Sequence, residues 1–548
     1  MKTKESPSWL KNRGYLHITR QIDVNDPSQK VLSKVCNKKY VAKYAFFPLI
    51  HASIDERRYK QKPPPKNQSL DLLDAKNYNP KSLRLERCHS YQDENGVSKK
   101  HIKQRPLHYA THMDALIFGY YADTLQNEYE KELAQNQELS DCILAYRRIK
   151  ISDTKESKCK STIHFAHEVF SEIQNRSQND DCIVLTFDIK SFFPSLNHQK
   201  LKEAWAKLIK KDKLPDDHFN VFKASTRFSY ILLDDLRVGQ KRGGRKAGFD
   251  EKKLAQIRNK QGFNAFFESP EDFRNKIKNR ELRLHRFPFR KGKDDKPTGI
   301  PQGLPISAIL ANLYLLEFDK KVFQKVSKEL GGYYRRYSDD MVVICHKHNA
   351  EYLKEFIETA IQESLVEISK DKTEVFLFKE MALGKQTPRL TAIKMTENTC
   401  IIEAPFTYLG FEFYGSQTLI KSANLAKFYR RMISTVKRKS KLALKIAERE
   451  GKKPVIFKKR LHKLYINANL NKTKIILRRK TFVQNNVGDF RIESTKKDKD
   501  FRSNYLSYIR RASMIMEEPA IQTQIGKHKT LFNQALYNHL KKKAKITL

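Results

Sequence analysis

Apolar residues recur along this chain with two different periods, which predict helices and strands in alternation. Residues 163–173, IHFAHEVFSEI, carry apolar side chains at helical spacing, whereas residues 182–193, CIVLTFDIKSFF, form a β-branched run that ends in a turn at Pro194. Residues 299–322 begin with a Gly/Pro turn and continue with apolar positions at i, i+3 and i+4, the pattern of a helix. In residues 331–346, GGYYRRYSDDMVVICH, two strand-like halves flank a polar tip, which predicts a β-hairpin.

The segments before this region give a weaker pattern. Residues 105–133 have apolar and aromatic side chains at helical spacing, and residues 140–150, SDCILAYRRIK, predict a short strand that ends in three cations. Residues 40–51, YVAKYAFFPLIH, fit either an apolar helix or a strand. The stiff, polar run KPPPKNQ at 62–68 is typical of a connector.

Composition shifts divide the rest of the chain. Residues 240–297 are rich in glycine and charge, which indicates an insertion or a basic flap, and residues 407–415 predict another short strand pair. From 421 onward the pattern is helical and very basic. We therefore expect three regions: an N-terminal extension at 1–100, a mixed α+β region at 101–420 and a cationic helical region at 421–548.

Charge points to the class of partner. The 548 residues contain 107 Lys and Arg against 62 Asp and Glu, a formal net charge of +45 that is spread over the whole length. Such a distribution favours a long polyanion, hence nucleic acid, over a small acidic ligand, although a merely soluble basic protein is the plain alternative. No apolar run approaches the roughly 20 residues that span a bilayer. We expect a cytoplasmic protein with no membrane partner, and the seven dispersed cysteines indicate neither a zinc module nor a disulfide framework.

Three carboxylates are the candidates for chemistry. Asp188 lies near the end of a predicted strand, and Asp339 and Asp340 form the tip of the predicted hairpin. Hard oxygen ligands suit Mg²⁺, and two such ions can activate a hydroxyl and neutralise a leaving pyrophosphate. For Asp339 and Asp340 alone, a hairpin turn with solvated acids explains the pattern equally well.

The order of four motifs resembles the palm of reverse transcriptases. They are FDIKSFFPSLNH at 187–198, GIPQGLPISAILANLYL at 299–315, RRYSDD at 335–340 and TYLGFEF at 407–413, and YSDD fits the family's Y-x-D-D signature. The resemblance covers about 104–415. It implies an α+β right-hand polymerase, with fingers and palm built around an antiparallel sheet and followed by a basic helical thumb.

By this resemblance, two Mg²⁺ ions are held by the carboxylates of Asp188 and Asp339, with Asp340 as the supporting acid. The backbone carbonyl of Ile189 is available to the second ion. Lys372, in EISKDKTEVF, corresponds to the family's lysine that protonates departing pyrophosphate, although one more surface lysine is the plain alternative.

The resemblance also implies substrate contacts. Phe193 corresponds to the bulky residue under the sugar that excludes a 2′-hydroxyl; one of the neighbours Phe192 and Phe193 is expected to be a core aromatic. Gln302 and Gly303 would approach the templating base, unless they only begin the following helix. The triphosphate contact is left open among three cations at the end of the predicted fingers strand, namely Arg147, Arg148 and Lys150.

Segments outside the palm most resemble the bacterial defence-associated reverse transcriptases of the unknown groups, which are related to group II intron and retron enzymes. These segments are 105–121, 143–149, 504–512 and the long basic insertion. The resemblance implies dNTPs, an RNA template, a cDNA product and a structured non-coding RNA as partners, in antiphage defence. Template identity, priming and homo-oligomerisation stay open.

Two alternatives use the same fold. A maturase-like RNA-binding scaffold would need no polymerase activity, but clustered acids that repel RNA argue against it. An RNA-dependent RNA polymerase would need a small or polar residue in place of Phe193.

Overall fold

The computed structural model describes residues 7–541 apart from a set of short gaps and one longer gap. The gaps are 27–29, 59, 62–86, 89, 93–95, 153, 155–157, 239, 242–244, 288, 290–296, 383–386, 397–398, 457, 467–473, 485–487, 489 and 501–502. The predicted connector at 62–68 therefore lies outside the described residues.

Helices and strands alternate along the described chain, as the sequence predicts. The helices are α1 (Val31–Val35), α2 (Lys38–Ala42), α3 (His112–Leu133), α4 (Gln137–Cys142), α5 (Thr162–Ser177), α6 (Phe192–Ser195), α7 (His198–Leu208), α8 (Asp216–Thr226), α9 (Glu251–Gln261), α10 (Pro270–Lys278), α11 (Ser307–Tyr314), α12 (Leu316–Phe323), α13 (Ala350–Glu363), α14 (Ser422–Glu450), α15 (Lys458–Tyr465), α16 (Tyr505–Ile515), α17 (Ala520–Thr523) and α18 (His528–Leu536).

The strands are β1 (Leu49–Arg57), β2 (Lys60–Gln61), β3 (Arg87–Cys88), β4 (Ser90–Gln92), β5 (Ser98–Lys100), β6 (Ile102–Tyr109), β7 (Cys182–Asp188), β8 (Ser229–Leu232), β9 (Gln240–Lys241), β10 (Arg245–Lys246), β11 (His285–Arg286), β12 (Tyr333–Tyr337), β13 (Asp340–His346), β14 (Glu374–Met381), β15 (Arg389–Met395), β16 (Cys400–Ile402), β17 (Phe406–Tyr408), β18 (Phe411–Phe413), β19 (Thr418–Ile420), β20 (Lys474–Gln484) and β21 (Phe490–Asp500).

A six-stranded antiparallel sheet with the order β12-β13-β7-β14-β15-β16 forms the centre. Successive side chains of a strand point to opposite faces, and in β7 both faces are buried. Ile183 and Leu185 belong to one apolar core, whereas Cys182 and Val184 belong to a second core on the other face. This explains why β7 reads as a continuous apolar run up to its last residue, Asp188.

A second sheet, with the order β11-β8-β1-β6, packs beside the predicted insertion. Phe266, Phe267 and Phe273, which lie in the insertion, share an apolar core with Ile50 of β1 and Ile231 of β8. In its described part, the insertion is thus anchored to this sheet by aromatic side chains and is not an open basic flap.

The C-terminal region is only partly helical. α14, α15 and α18 pack around Val436, Leu461 and Phe532. Between α15 and α16, however, β20 and β21 pair antiparallel over their whole length, where the sequence predicted helix throughout. The basic residues of this segment obscured its β-branched and aromatic positions, so the prediction was wrong here.

One strand prediction also needs correction. Residues 140–150 do not form a strand: α4 ends at Cys142, and only an isolated bridge from Ile143 to Arg336 follows before a turn. The strand pair predicted at 407–415 is confirmed as β17 and β18, and β19 extends it to a three-stranded sheet.

One ion pair joins the four-stranded sheet to the long helix α14. Lys427 on α14 lies 3.4 Å from the carboxylate of Glu56 on β1. Arg58 and Arg105 also lie within 4 Å of that carboxylate. No helix in the described part of the chain is long and apolar enough to cross a membrane.

Candidate active site

The sheet register places two of the predicted acids directly opposite each other. Asp188, the last residue of β7, pairs with Asp340, the first residue of β13. Side chains at directly opposed positions lie about 5 Å apart at Cβ, and like charges there are unfavourable unless a cation lies between them. Asp339 is in the adjoining turn, where its carbonyl accepts the Ile189 N–H at 3.2 Å. The hairpin predicted at 331–346 is therefore present, with all three acids at one sheet end.

A buried ion pair holds the turn that carries Asp339. The Arg336 guanidinium donates to both carboxylate oxygens of Asp319, from Nε at 2.7 Å and from Nη2 at 2.6 Å, and neither side chain is exposed. Its Nη1 donates to the Ser338 carbonyl at 3.1 Å and to Oδ1 of Asn312 at 3.2 Å. Arg336 thus connects α12 and α11 to the residue just before Asp339.

The turn is also supported from its outer side. Ser338 has a φ of +64°, a left-handed conformation that few residues other than glycine adopt. The hydroxyls of Ser338 and Tyr146 are 3.1 Å apart. Hydrogen bonds from Tyr146 and Arg336 therefore restrain the strained turn on two sides.

The charge balance of the acids depends on nearby lysines. The Asp340 residue is exposed to solvent on part of its surface. The protein around the rest of the carboxyl, followed by the negative charges of Asp339 and Asp188, nevertheless raises the pKa of Asp340 to about 6, and Lys372 and Lys421 oppose the shift. The site is therefore a strained acidic cluster that cations stabilise.

Lys372 makes direct contact with this cluster. Its Nζ donates to Oδ1 of Asp188. The backbone explains the approach: the Ser369 N–H donates to the Asp188 carbonyl at 2.8 Å, and the 3₁₀ turn Lys370–Lys372 follows immediately. The lysine singled out in the sequence is therefore adjacent to the predicted metal ligand.

The donor set has the chemistry that Mg²⁺ prefers, three carboxylates and a main-chain carbonyl. In the part of the chain that the structure describes, no hydrogen bond to the Ile189 carbonyl oxygen is found. Among the same residues, however, no three His, Cys, Asp or Glu side chains converge closely enough to hold an ion. In this structure the cation that contacts Asp188 is the Lys372 ammonium.

The two adjacent phenylalanines differ in exposure, but for a different reason than the sequence suggested. They lie in the one-turn helix α6 and not on a strand, and their ring centroids are 5.7 Å apart. Phe192 is buried in the main core, while Phe193 is only partly buried. The Phe193 carbonyl accepts the Ile300 N–H at 2.8 Å, which fixes this turn against the loop that contains Gln302.

The predicted template loop packs closely against β6. The His108 N–H donates to the Gln302 carbonyl at 2.9 Å. Gly303 has a φ of +117°, and a Cβ built there would lie 2.6 Å from the His108 carbonyl oxygen. Only glycine fits this position without moving the strand.

Arg147 is poorly placed for a triphosphate. Its guanidinium donates from Nε and Nη2 to the Glu130 carboxylate, from Nη2 to the Ser140 hydroxyl at 2.8 Å and from Nη1 to the Ile143 carbonyl at 2.7 Å, so the side chain is almost fully buried. Of the three predicted cations, Arg148 and Lys150 are exposed. Arg147 therefore joins α3 to α4, and only the other two remain candidates.

Sequence reasoning missed Lys103 and Arg105 on β6. Burial, then the charges of Arg105, Arg58 and Lys372, lower the pKa of Lys103, whereas Asp188 opposes that shift. Lys103 therefore lies within electrostatic range of the acids. The signal available was the alternation of cations at i and i+2 in a strand, which places both on one face.

Comparison with known proteins bears directly on this region. Residues 268–413, about a quarter of the chain, match the family described as reverse transcriptase (RNA-dependent DNA polymerase). This stretch is therefore similar to the reverse transcriptase domain. It contains Gln302, Gly303, Asp339, Asp340 and Lys372, whereas Asp188 precedes it. The predicted fold class, an α+β right-hand polymerase with an antiparallel palm sheet, is confirmed.

Solved structures similar to the chain include two telomerases. The apo telomerase of Candida tropicalis truncated from its C-terminal domain is 12% identical, with 59% of this chain and 53% of that chain covered and a TM-score of 0.34. The telomerase of Candida albicans in complex with a TWJ fragment of telomeric RNA is 12% identical, with coverages of 60% and 48% and a TM-score of 0.33. The matches span about half the length of these telomerases. Curated protein sequences gave no match.

The buried ion pair leads to a stability prediction. Replacing Arg336 with Met leaves the Asp319 carboxylate buried without its cation, and we expect a loss of about 3 to 5 kcal/mol. Urea unfolding followed by the fluorescence of Trp9 and Trp205, which share one core, measures the loss.

The matched control is Lys328→Met, which breaks the exposed pair with Glu138 and should cost no more than about 1 kcal/mol. Arg336→Met combined with Asp319→Leu should recover part of the stability, since no buried charge remains. Equal midpoints for Arg336→Met and the control would contradict the role of the pair.

Proposed function

We propose that the chain is an RNA-directed DNA polymerase that adds dNTPs to a 3′-hydroxyl by a two-metal-ion mechanism. The observation that supports this most is the direct pairing of Asp188 with Asp340 across β7 and β13, with Asp339 in the adjoining turn. An acidic cluster at a rigid sheet end, with two of its three acids inside the stretch that matches the reverse transcriptase family, suits the binding of cations and the polyphosphate of a substrate.

Asp188 and Asp339 would hold two Mg²⁺ ions, with Asp340 and the Ile189 carbonyl in support. Bound there, the ions lower the pKa of the attacking hydroxyl and neutralise the leaving pyrophosphate. The restrained turn keeps Asp339 in place because Arg336 and Tyr146 limit its movement. Preorganised charge of this kind avoids reorganisation during the reaction.

Lys372 has a role that changes with the charge at Asp188. In the present structure its ammonium neutralises that carboxylate. Once another cation takes over this task, Lys372 can donate a proton to the departing pyrophosphate. Arg148 and Lys150 would contact the triphosphate as exposed cations, and Gln302 and Gly303 would lie beside the templating base.

The first prediction for this function concerns the acids. Asp188→Asn, or Asp339→Asn with Asp340→Asn, should reduce dNTP incorporation on an RNA template to background, because each removes charge needed to hold Mg²⁺. Incorporation is measured by primer extension, and melting in the same buffer checks the fold.

Asp371→Asn is the matched control. Asp371 is an exposed acid beside Lys372. Asp371→Asn removes one negative charge, as Asp188→Asn does, but it leaves the paired strands β7 and β13 unchanged. Mg²⁺-dependent synthesis that persists in the Asp188 variant would return the chain to the maturase-like or scaffold interpretation.

A second prediction concerns sugar selection. If the Phe193 ring lies under the sugar, Phe193→Val should increase the use of rNTPs relative to dNTPs while dNTP incorporation continues. Phe192→Val serves as the control, since it removes the same atoms from the buried neighbour. If discrimination between rNTPs and dNTPs is relaxed in Phe192→Val but not in Phe193→Val, the ring under the sugar is Phe192 and the proposed assignment is wrong.

We further propose that the polymerase acts with a dedicated structured non-coding RNA in antiphage defence. The net charge of +45 supports a second, permanent polyanion, because gripping one turn of primer and template needs far fewer cations. Sequencing the RNA that copurifies with the full chain should yield one discrete species. Phage protection should be lost when either that RNA or Asp188 is changed, and heterogeneous RNA with full protection by Asp188→Ala would contradict both parts.

A further inference from the structure

A small cavity between α7 and α8 combines aromatic rings with cations. Its volume is about 170 Å³, and its lining includes two rings, Phe219 and Phe222, and three cations, Lys202, Lys223 and Arg227. None of these five residues belongs to the acidic cluster. The cavity therefore needs its own explanation.

Phe219 is unusually accessible for its type. It is 44% exposed, and its ring lies nearly parallel to that of the buried Phe222, at an interplanar angle of 20° with centroids 6.5 Å apart. The Lys202 Nζ lies 5.3 Å from the centroid of Phe219. The cation therefore lies over part of the Phe219 ring, and the ring surface that stays exposed is where another flat group can stack.

The cations of this cavity lack the acidic partners found at comparable places. Elsewhere Lys321 and Lys325 also lie over aromatic rings, but each is paired with a glutamate, Glu363 and Glu329 respectively. Among the described residues, Lys202, Lys223 and Arg227 form no ion pair, so that each contributes uncompensated positive charge.

The remaining wall connects the cavity to the polymerase region. The imidazole of His198, which lines the cavity, lies 2.7 Å from the Gly299 carbonyl oxygen. Burial lowers the pKa of His198, the hydrogen bond to Gly299 opposes this shift, and the charge of Arg227 adds to it. Gly299 begins the loop that carries Gln302. The cavity wall and the loop that carries Gln302 are therefore in direct contact through His198.

We propose that this cavity binds single-stranded nucleic acid, with one base stacked on Phe219 and neighbouring phosphates held by Lys202, Lys223 and Arg227. Every base offers a flat face, and stacking on an aromatic ring needs no sequence preference. The bases of a duplex are already stacked on each other, and an acidic peptide need not contain an aromatic group. Neither ligand would therefore use both the Phe219 ring and the three cations. The proposal goes beyond the catalytic function and uses none of its residues.

Fluorescence anisotropy with labelled U12 and dT12 on the full chain tests the stacking contact. Phe219→Ala should weaken binding of at least one of these oligomers about tenfold, since one stacked base contributes on the order of 1 to 3 kcal/mol. Phe219→Leu keeps apolar packing but removes the flat face, and it should show the same loss if the fold is retained. The two oligomers together decide whether RNA or DNA is preferred.

The cations are tested by the salt dependence of binding. Replacing Lys202, Lys223 and Arg227 together with Gln should reduce the slope of log affinity against log salt by about 2, at about 0.7 for each phosphate contact on a single strand. The matched controls are made where lysines lie over aromatic rings but are paired with glutamates. Tyr352→Ala is the control for the ring, and Lys321→Gln with Lys325→Gln is the control for the cations. We expect both controls to bind like the unaltered chain.

Three results would overturn the proposal. They are an unchanged affinity in both Phe219 variants, an unchanged salt slope in the triple variant, and competition by polyglutamate as effective as that by U12, which would assign the site to an acidic protein. Primer extension on the same preparations keeps this test separate from the catalytic proposal, because the oligomer readout requires no dNTP incorporation.

Discussion

The buried pair of Arg336 and Asp319 is the contact on which the geometry of the acidic turn depends. Two charges removed from water cost more than they return unless every hydrogen-bonding group is satisfied. Here the guanidinium uses Nε and Nη2 for the carboxylate, while Nη1 reaches Asn312 and the Ser338 carbonyl. Asn312 in turn donates to the Ala145 carbonyl at 2.9 Å. Arg336 thereby connects the turn directly to α12 and α11, and through Asn312 to the segment that contains Ala145.

The central sheet and this ion pair serve complementary purposes. Apolar residues are buried on both faces of β7, and the Ser369 N–H donates to the Asp188 carbonyl, so packing and the backbone together place Asp188. Asp339 lies in the turn between β12 and β13, which hydrogen bonds from Arg336 and at Ser338 restrain. The long helix α14 is attached in a third way: the buried Glu412 accepts the Ser422 N–H and hydroxyl at the helix start. A carboxylate is favourable there because helix N-termini carry partial positive charge.

Period and motif order were enough to predict the strand end at Asp188, the hairpin and the fold class. The sequence could not reveal the internal partners of Arg147, because a buried guanidinium and a phosphate-binding one look alike until Glu130 is placed beside it. The prediction for residues 474–500 failed for another reason, since runs of adjacent cations, as at 478–480 and 496–497, obscured the β-branched and aromatic residues of the two strands. Lys103 was missed because its proximity to Asp188 arises from packing between sheets, which no local pattern contains.

The ion pair of Glu56 and Lys427 joins β1 to α14, so ionic strength should affect how easily another molecule enters between these two elements. Exposed ion pairs of this kind contribute at most about 1 kcal/mol and weaken as salt screens them. Added salt therefore loosens the bridge between the two elements, while it also weakens any phosphate contacts made by the same cations. These effects oppose each other, so entry of a polyanion should be fastest at an intermediate salt concentration, and neutralising Glu56 should move that optimum toward lower salt.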